Sequence, residues 1–336
     1  MKEENLQHIK DIVSAIDVNG DKQVLLHGKA FVENFSDPYL DRPGNKMLFE
    51  IIHKLIYEIF YTKTKRIDSS ASITREEIVQ SVNKLSDANT STERFEEGWY
   101  VEDIDGLGNI MAVKGSMKRR VQPGEFLTDT GSHQRIEKGK HIRLFMAREM
   151  KDFSSIFYHV FGETAGEENS SEVVRIYFNM SFEGNCLLIR LLGGSLNSYA
   201  VPFIFKCLYH PFLYNRADTA VLYFDKKYSA IVFAILKNIY PQIKEHARDD
   251  IPLLTLKLGK GISFAETPAR LSESFGTHWS KIIAAGMMNA YEAALPKEKW
   301  MDEVLKHIQV NHGYTDLEKL YLNPGSAYPY AFPLYE

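Results

Sequence analysis

"VVRIYFNMSFEGNCLLIRLLGGSLNSYAVPFIFKCLYHPFLYNRADTAVLYFD", residues 173–225, decides the fold. Its first eight residues alternate. Val174, Ile176, Phe178 and Met180 form one side, and Arg175, Tyr177 and Asn179 the other, which is the period of a strand. The spacing predicts a helix over 184–198, then strands over 202–209 and 219–225. Beyond it, a helix over 228–246, bent or ended at Pro241, and a fourth strand, "PLLTLKL" (252–258), complete a βα-ββαβ order. That is the split βαβ arrangement of an α+β domain.

Each strand has one apolar face: Phe203, Phe205 and Cys207 in the second, Ala220, Leu222 and Phe224 in the third, Leu254, Leu256 and Leu258 in the fourth. The two helices are available to cover that side. The opposite side collects Arg175, Tyr177, Asn179, Lys206, Tyr223, Asp225 and Lys257, interleaved with Ile204, Leu208, Val221 and Leu253. Such a face is either the solvated side of an antiparallel sheet or a partly covered cleft whose three cations want an anion. Arg216, between the second and third strands, adds a planar fork suited to phosphate or carboxylate. His210, before Pro211, reads as a turn residue.

Upstream, residues 1–92 read as a helical region. "MLFEIIHKLIYEIFY" (47–61) places its apolar residues at helical spacing, and Thr74-x-x-Glu77 opens "TREEIVQSVNKL" (74–85) as a capping box. "DVNGDKQVLLHG" (17–28) begins like a calcium loop, but Lys22 stands where the turn needs Gly and Gly28 where the bidentate Glu belongs. A polar helix–helix turn is expected there. Residues 93–161 read as a small β-rich module of short alternating segments broken by Gly, Pro and Asp. Its cluster "KGSMKRR" (114–120) is a solvated turn or a contact surface for an acidic peptide. The polar stretch 162–172 reads as a linker to the last domain, 173–336. Downstream, "SESFGTHWSKIIAAGMMNAYEAAL" (272–295) is a helix with an apolar face and a polar first half, and another follows near 297–311. Capping by Ser272 or Ser274 would aim the helix N-terminus at a bound anion, with His278 and Lys281 facing the substrate.

The 336 residues are 44% hydrophobic and 25% charged, with a net charge of −4. That supports a large core and argues against non-specific nucleic-acid binding, which needs a basic excess. No apolar run approaches the ~20 residues of a membrane span, and "MKEENLQHIKDIV" is charged and helical, unlike a signal peptide. Cys186 and Cys207 lie in apolar segments without metal-ligand spacing, which reads as two reduced thiols in a cytoplasmic protein.

Five ordered segments carry a family resemblance: "GWYVEDIDGLGNIMAVKGSMKRRVQPGE" (98–125), "RIYFNMSFEGNCLLIRLLGGSLNSYAVPFIFKCL" (175–208), "RADTAVLYF" (216–224), "KGISFAETP" (260–268) and "ESFGTHWSKIIAAGM" (273–287). Over about residues 91 to 292 the chain resembles the HopA domain family, named for a plant-pathogen type III effector. Members in lanthipeptide and thioamide-peptide gene clusters are regarded as phosphoserine/phosphothreonine lyases. They eliminate phosphate from a precursor peptide, phosphorylated by a separate kinase, to give dehydroalanine or dehydrobutyrine. A more distant likeness is to the OspF-type phosphothreonine lyases, which place a base lysine on a strand, then an arginine, then a strand ending in Leu-Tyr. Lys206, Arg216 and "VLYF" follow that order. Two departures stand out: "RIYFN" replaces the OspF-type Lys-x-His, so the general acid must come from elsewhere, and Trp279 stands where relatives carry Arg.

The resemblance implies a carbon–oxygen lyase without metal or other cofactor, and the sequence holds no metal-ligand cluster. β-Elimination needs a base for the Cα proton, a partner for the enolate and a clamp for the phosphate. A lysine acts as base only when neutral, and burial beside other cations favours that form. Lys206 is the expected base. Arg175 and Arg216 are the expected clamp, and Lys257 shares it or holds the enolate. Lys281 and Asn179 are further substrate contacts and His278 the acid. Tyr223 stands beside the base, with Asp225 and Tyr177 in support. Each electrostatic contact can be worth ~3 kcal/mol in the transition state. The expected partners are the phosphorylated precursor peptide and the kinase, with no nucleic acid or membrane. The alternative is a non-catalytic HopA-type effector or peptide-binding module. A phosphatase fits less well, because no nucleophilic Cys-x5-Arg is present.

Overall fold

The computed structural model describes residues 2–31, 45–65, 73–129, 131–133, 136–151, 156–166, 172–268 and 273–333. Helix α1 (Lys2–Ala15) buries Ile9, Ile12 and Val13. It runs into a small antiparallel sheet, β1 (Ile16–Val18), β2 (Val24–Leu26) and β3 (Lys29–Ala30). The helix–helix turn expected at 17–28 is therefore a β-hairpin. Asn19 Oδ1 accepts the N–H groups of Asp21 (3.1 Å) and Gln23 (2.9 Å), so the side chain that suggested a calcium ligand closes the turn instead. Helix α2 (Lys46–Leu55) buries Leu48, Ile52 and Leu55 and continues as a π-helical turn, Ile56–Tyr61. Helix α3 (Arg75–Ala88) opens on the Thr74/Glu77 capping box, a feature worth about 1 kcal/mol.

Strands β4 (Arg94–Ile104), β5 (Ile110–Lys114), β6 (Met117–Val121), β7 (Phe126–Thr128) and β8 (His141–Met146) form a five-stranded antiparallel sheet in the order β6-β5-β4-β8-β7. It has its own core around Trp99, Val101, Ile110 and Leu144. The basic 114–120 stretch is its β5–β6 hairpin, and three of its four cations are paired within the sheet. Lys118 meets Glu102 at 2.7 Å, Arg120 meets Asp105 at 2.8 Å and Lys114 meets Glu96 at 3.5 Å. The last strands of the 93–161 stretch, β9 (Glu149–Met150) and β10 (Phe157–Phe161), are hydrogen-bonded into a different, larger sheet. In the expected linker, 162–172, residues 167–171 lie outside the described residues.

The larger sheet continues with β11 (Val173–Phe178), α4 (Phe182–Ser198), β12 (Ile204–Leu208), β13 (Ala220–Asp225), α5 (Ser229–Ile243), β14 (Leu256–Gly259) and β15 (Ile262–Glu266). Pro241 lies within the last turn of α5. The order is β14-β15-β11-β13-β12-β10-β9, with every neighbouring pair antiparallel. Its central four, β15-β11-β13-β12, give the split βαβ order, and the fold is α+β. The fourth strand of that motif is Ile262–Glu266, not 252–258. Leu254 adopts φ +61° and Thr255 Oγ1 bonds Pro252 O at 2.6 Å, so 252–255 is a turn. Only 256–259 pairs, as an outer strand reached through the hairpin at Gly261, φ +63°. A left-handed leucine cannot sit inside a strand.

Helices α4 and α5 cover the apolar face, where Phe233 of α5 meets Phe264 of β15 edge-on at 6.0 Å. The other face is roofed by the 56–61 turn and by α6 (Phe275–Glu292), with α7 (Trp300–Lys306) packed behind. Ser274 caps α6 by accepting the Thr277 N–H at 3.0 Å; Ser272 lies outside the described residues. At Gly276, an added Cβ would sit 2.2 Å from Tyr61 Cε1, and the Tyr61 ring is buried. We expect Gly276→Ala to cost ~1–3 kcal/mol by overpacking, despite its better helix propensity. Denaturant unfolding should show this cost shrinking in a Tyr61→Leu background; an equal cost in both backgrounds would refute the contact.

Candidate active site

Strand register sets the site. Across the sheet, Lys257, Ser263, Tyr177, Val221, Lys206 and His159 stand directly opposite one another in one row. The next row holds Ala265, Arg175, Tyr223 and Ile204. Directly opposed residues point to the same face, so Arg175, Tyr177, Lys206, Tyr223 and His159 share the roofed side.

Lys206 is half-buried. Its ammonium lies 4.6 Å from the centre of the Phe157 ring and 5.3 Å from that of Tyr223, and it makes no hydrogen bond or ion pair among the described residues. Burial lowers its pKa from the ordinary lysine value. Arg175 and Arg216 push the same way, and Tyr177 and Asp218 oppose them. Arg175 is 5% exposed. Its Nε donates to Thr267 Oγ1 (3.1 Å), its Nη2 donates to Glu273 O (3.2 Å), and its guanidinium lies 5.3 Å from the Tyr223 ring. Tyr223 therefore stands between two cations. Burial pushes its pKa up to about 12, so it stays a neutral hydroxyl. Tyr177 is buried, and burial raises its pKa as well.

The roof comes from the N-terminal region. The π turn puts Tyr57 and Tyr61 on one side, their rings stacked at 5.6 Å. The following residues are tied to the large domain by backbone bonds: Ala217 N–H to Thr62 O (2.6 Å), Lys65 N–H to Asn215 O (2.9 Å) and Leu253 N–H to Tyr61 O (3.3 Å). Arg216 lies under this roof. It forks onto both Asp218 oxygens, donates to Tyr57 Oη at 3.2 Å and stacks near that ring. Burial, with Asp218 adding, pushes the Tyr57 hydroxyl up to about 12.

Beside Arg216 opens a cleft of about 480 Å³, with Lys63, Lys65, Asn179, Arg248, Asp250 and Lys260 among its walls. Asn179 donates Nδ2 to Asp250 O at 2.8 Å. Lys63 pairs with Asp250 at 3.2 Å. Arg248 donates to the Tyr214 carbonyl. Lys65, Arg248 and Lys260 meet no carboxylate among the described residues. Lys206 is within electrostatic range of Arg216, on the cleft wall, and of Asp218.

Four expected residues are placed elsewhere. Lys257 is exposed on β14, two strands out from Tyr177 in the shared row. That displacement follows from the turn at Leu254. Lys281 Nζ bonds Glu273 Oε1 at 2.7 Å. His278 Nε2 bonds Tyr314 Oη at 3.0 Å, and its Nδ1 lies 3.9 Å from Glu273. Asp225 accepts the Lys227 N–H at 3.0 Å and caps a short turn. The α6 N-terminus, expected to face an anion, is filled by Tyr61. Arg175 is too enclosed to clamp a substrate phosphate. The residues that pattern reading missed are Tyr57, Tyr61, Asp218, His159, Lys65 and Arg248. Tyr57 and Tyr61 lie on a stretch, 47–61, that reads only as a helix with a broad buried face. Asp218, two residues after Arg216, was the one legible signal, a fork-and-carboxylate pair.

Among the described residues no group of three or more His, Cys, Asp or Glu is placed to hold a metal ion, and no helix is long and apolar enough to cross a membrane. The site makes a direct prediction. With lysines reductively methylated and followed by carbon NMR, Lys206 should titrate below the ordinary lysine value of about 10.4. A Lys206→Arg sample assigns the signal, and titration at or above that value would contradict the geometry.

Residues 149–322 match the HopA1 effector protein family. Among solved structures, the chain is similar to the effector protein from Pseudomonas syringae pv. syringae strain 61, with a TM-score of 0.49 and 13% identity. It is also similar to that from P. syringae pv. tomato strain DC3000, with a TM-score of 0.47 and 11% identity. Each alignment covers 96% of this chain and 98% of the other. No curated protein matches the sequence. The family match begins at β9, the first strand of the large sheet, and takes in the whole of that sheet, its two covering helices and α6: the chain belongs to the HopA1 effector protein family.

Proposed function

We infer that the protein is a phosphoserine/phosphothreonine lyase acting on a phosphorylated peptide. The observation that carries this reading is Lys206. It is a half-buried lysine without a polar partner among the described residues, its pKa lowered, within electrostatic range of Arg216 on the wall of a cationic cleft. A lysine held this way supplies a neutral amine at moderate pH. In the reaction, Lys206 Nζ takes the Cα proton of the phosphorylated residue. The C–H electrons form the Cα–Cβ double bond, the Cβ–O bond breaks, and its electrons leave with phosphate. Arg216 and Arg248 at the cleft wall neutralise the departing charge, replacing the Arg175/Arg216 pair expected from sequence. A separate kinase provides the phosphorylated substrate. The step as written uses no metal.

The Arg216–Asp218 fork favours a second reading, a non-catalytic peptide-binding module, because it already neutralises an arginine of the proposed phosphate clamp. A phosphopeptide incubated with the full chain and a chelator decides between them. The lyase reading expects a mass decrease equal to phosphoric acid and a product that adds thiols. Lys206→Ala should slow this by about 10²–10⁴-fold, the usual range for a lost general base. Lys206→Arg should do the same, since Arg does not deprotonate. The rate should climb with pH as Lys206 loses its proton and level off above its depressed pKa. A bound peptide returned intact across that pH range would leave the binding module.

A further inference from the structure

The cleft beside Arg216 holds cations that the phosphate clamp does not use. Its walls hold five cations, Lys63, Lys65, Arg216, Arg248 and Lys260, and two carboxylates, Asp249 and Asp250; with Arg216 set against Asp218 the surplus is two, in a chain whose net charge is −4. A phosphorylated side chain brings about −1.5 to −2, and Lys65 and Lys260 lie outside the Arg216/Arg248 clamp. Their partners separate the cations. Arg216 is half-buried on Asp218, and Arg248, though exposed, donates to the Tyr214 carbonyl. Lys65 and Lys260 are exposed and come from different elements: one follows the tyrosine turn, and the other sits in the β14–β15 hairpin. Neither meets a carboxylate among the described residues.

We propose that Lys65 and Lys260 form a subsite that selects peptides with acidic side chains flanking the phosphorylated residue. This rests on the phosphopeptide reading of the cleft, but not on its catalysis. Exposed lysines act through long-range attraction more than through fixed geometry. Their contribution therefore appears in affinity and fades with salt.

The test uses the full chain and two fluorescent phosphoserine peptides that differ only in having Glu or Gln on either side of the phosphoserine. Binding is read by anisotropy in the Lys206→Ala background, so that no turnover intervenes. The Glu peptide should bind about tenfold tighter at low salt. Adding Lys65→Ala and Lys260→Ala should bring the two peptides within about twofold, with the thermal midpoint unchanged. Lys118→Ala, on the five-stranded sheet, should leave the preference intact. Equal affinities, a preference that survives the double substitution, or no binding of either peptide would overturn the subsite. Turnover by the unsubstituted chain is measured separately. A Glu preference in binding without phosphate loss would retain the subsite and discard the lyase, and phosphate loss at equal rates and affinities would do the reverse.

Discussion

Three cations, Arg175, Lys206 and Arg216, are held on the covered face of one antiparallel sheet, and among the described residues Asp218 is the one carboxylate bonded to any of them. Burying charge without a counter-charge is costly, and each cation escapes that cost differently. Arg175 is satisfied by a hydroxyl, a carbonyl and a ring face. Arg216 has its carboxylate and a tyrosine hydroxyl. Lys206 has only two aromatic rings. Of the three it alone can shed its charge at accessible pH, because a guanidinium does not deprotonate. The arrangement concentrates the unrelieved desolvation on one amine, and a depressed pKa follows.

The roof makes that burial possible. Without the 56–61 turn the sheet face would be open to water, which would screen the cations and restore Lys206 to ordinary behaviour. The π turn shifts the helical phase so that Tyr57 reaches Arg216 while Tyr61 enters the gap left by Gly276. Backbone bonds from Thr62, Lys65 and Tyr61 to 215–217 and 253 fix this in place. The N-terminal region therefore completes the site although the family match starts only at residue 149.

Much of this was legible in the sequence. Strict alternation in "VVRIYFNM", "PFIFKCLY" and "TAVLYFD" put Arg175, Tyr177, Lys206 and Tyr223 on one face, and the antiparallel register agrees. The capping box of α3 and the helix of residues 47–61 were equally local. The failures were of two kinds. "PLLTLKL" alternates like a strand, but Leu254 is left-handed, a conformation that no leucine announces, and Lys257 moved outward with the error. The roof was invisible because long-range contacts decide which helix covers which face. His278 and Lys281 sat in a polar turn that looked like a site, yet Glu273 and Tyr314, close in sequence or folded back from the C-terminal segment, satisfy them.

Strand β11 and the residue that follows it organise the site along their length. Arg175 is enclosed and bonded on all sides, Tyr177 stands level with Lys206, and Asn179 emerges on the cleft wall. Moving along that line, the chain passes from an enclosed cation, past the level of Lys206, to the wall of the cationic cleft. In the proposed reaction that separation removes a conflict. A cation close enough to depress the lysine pKa by direct repulsion would also compete with it for the phosphate if both faced the substrate. Arg175, walled off by Tyr223, Thr267 and the Glu273 carbonyl, acts on Lys206 through the low-dielectric interior alone, and the cations of the cleft that meet no carboxylate among the described residues, Lys65, Arg248 and Lys260, are left to meet an anion.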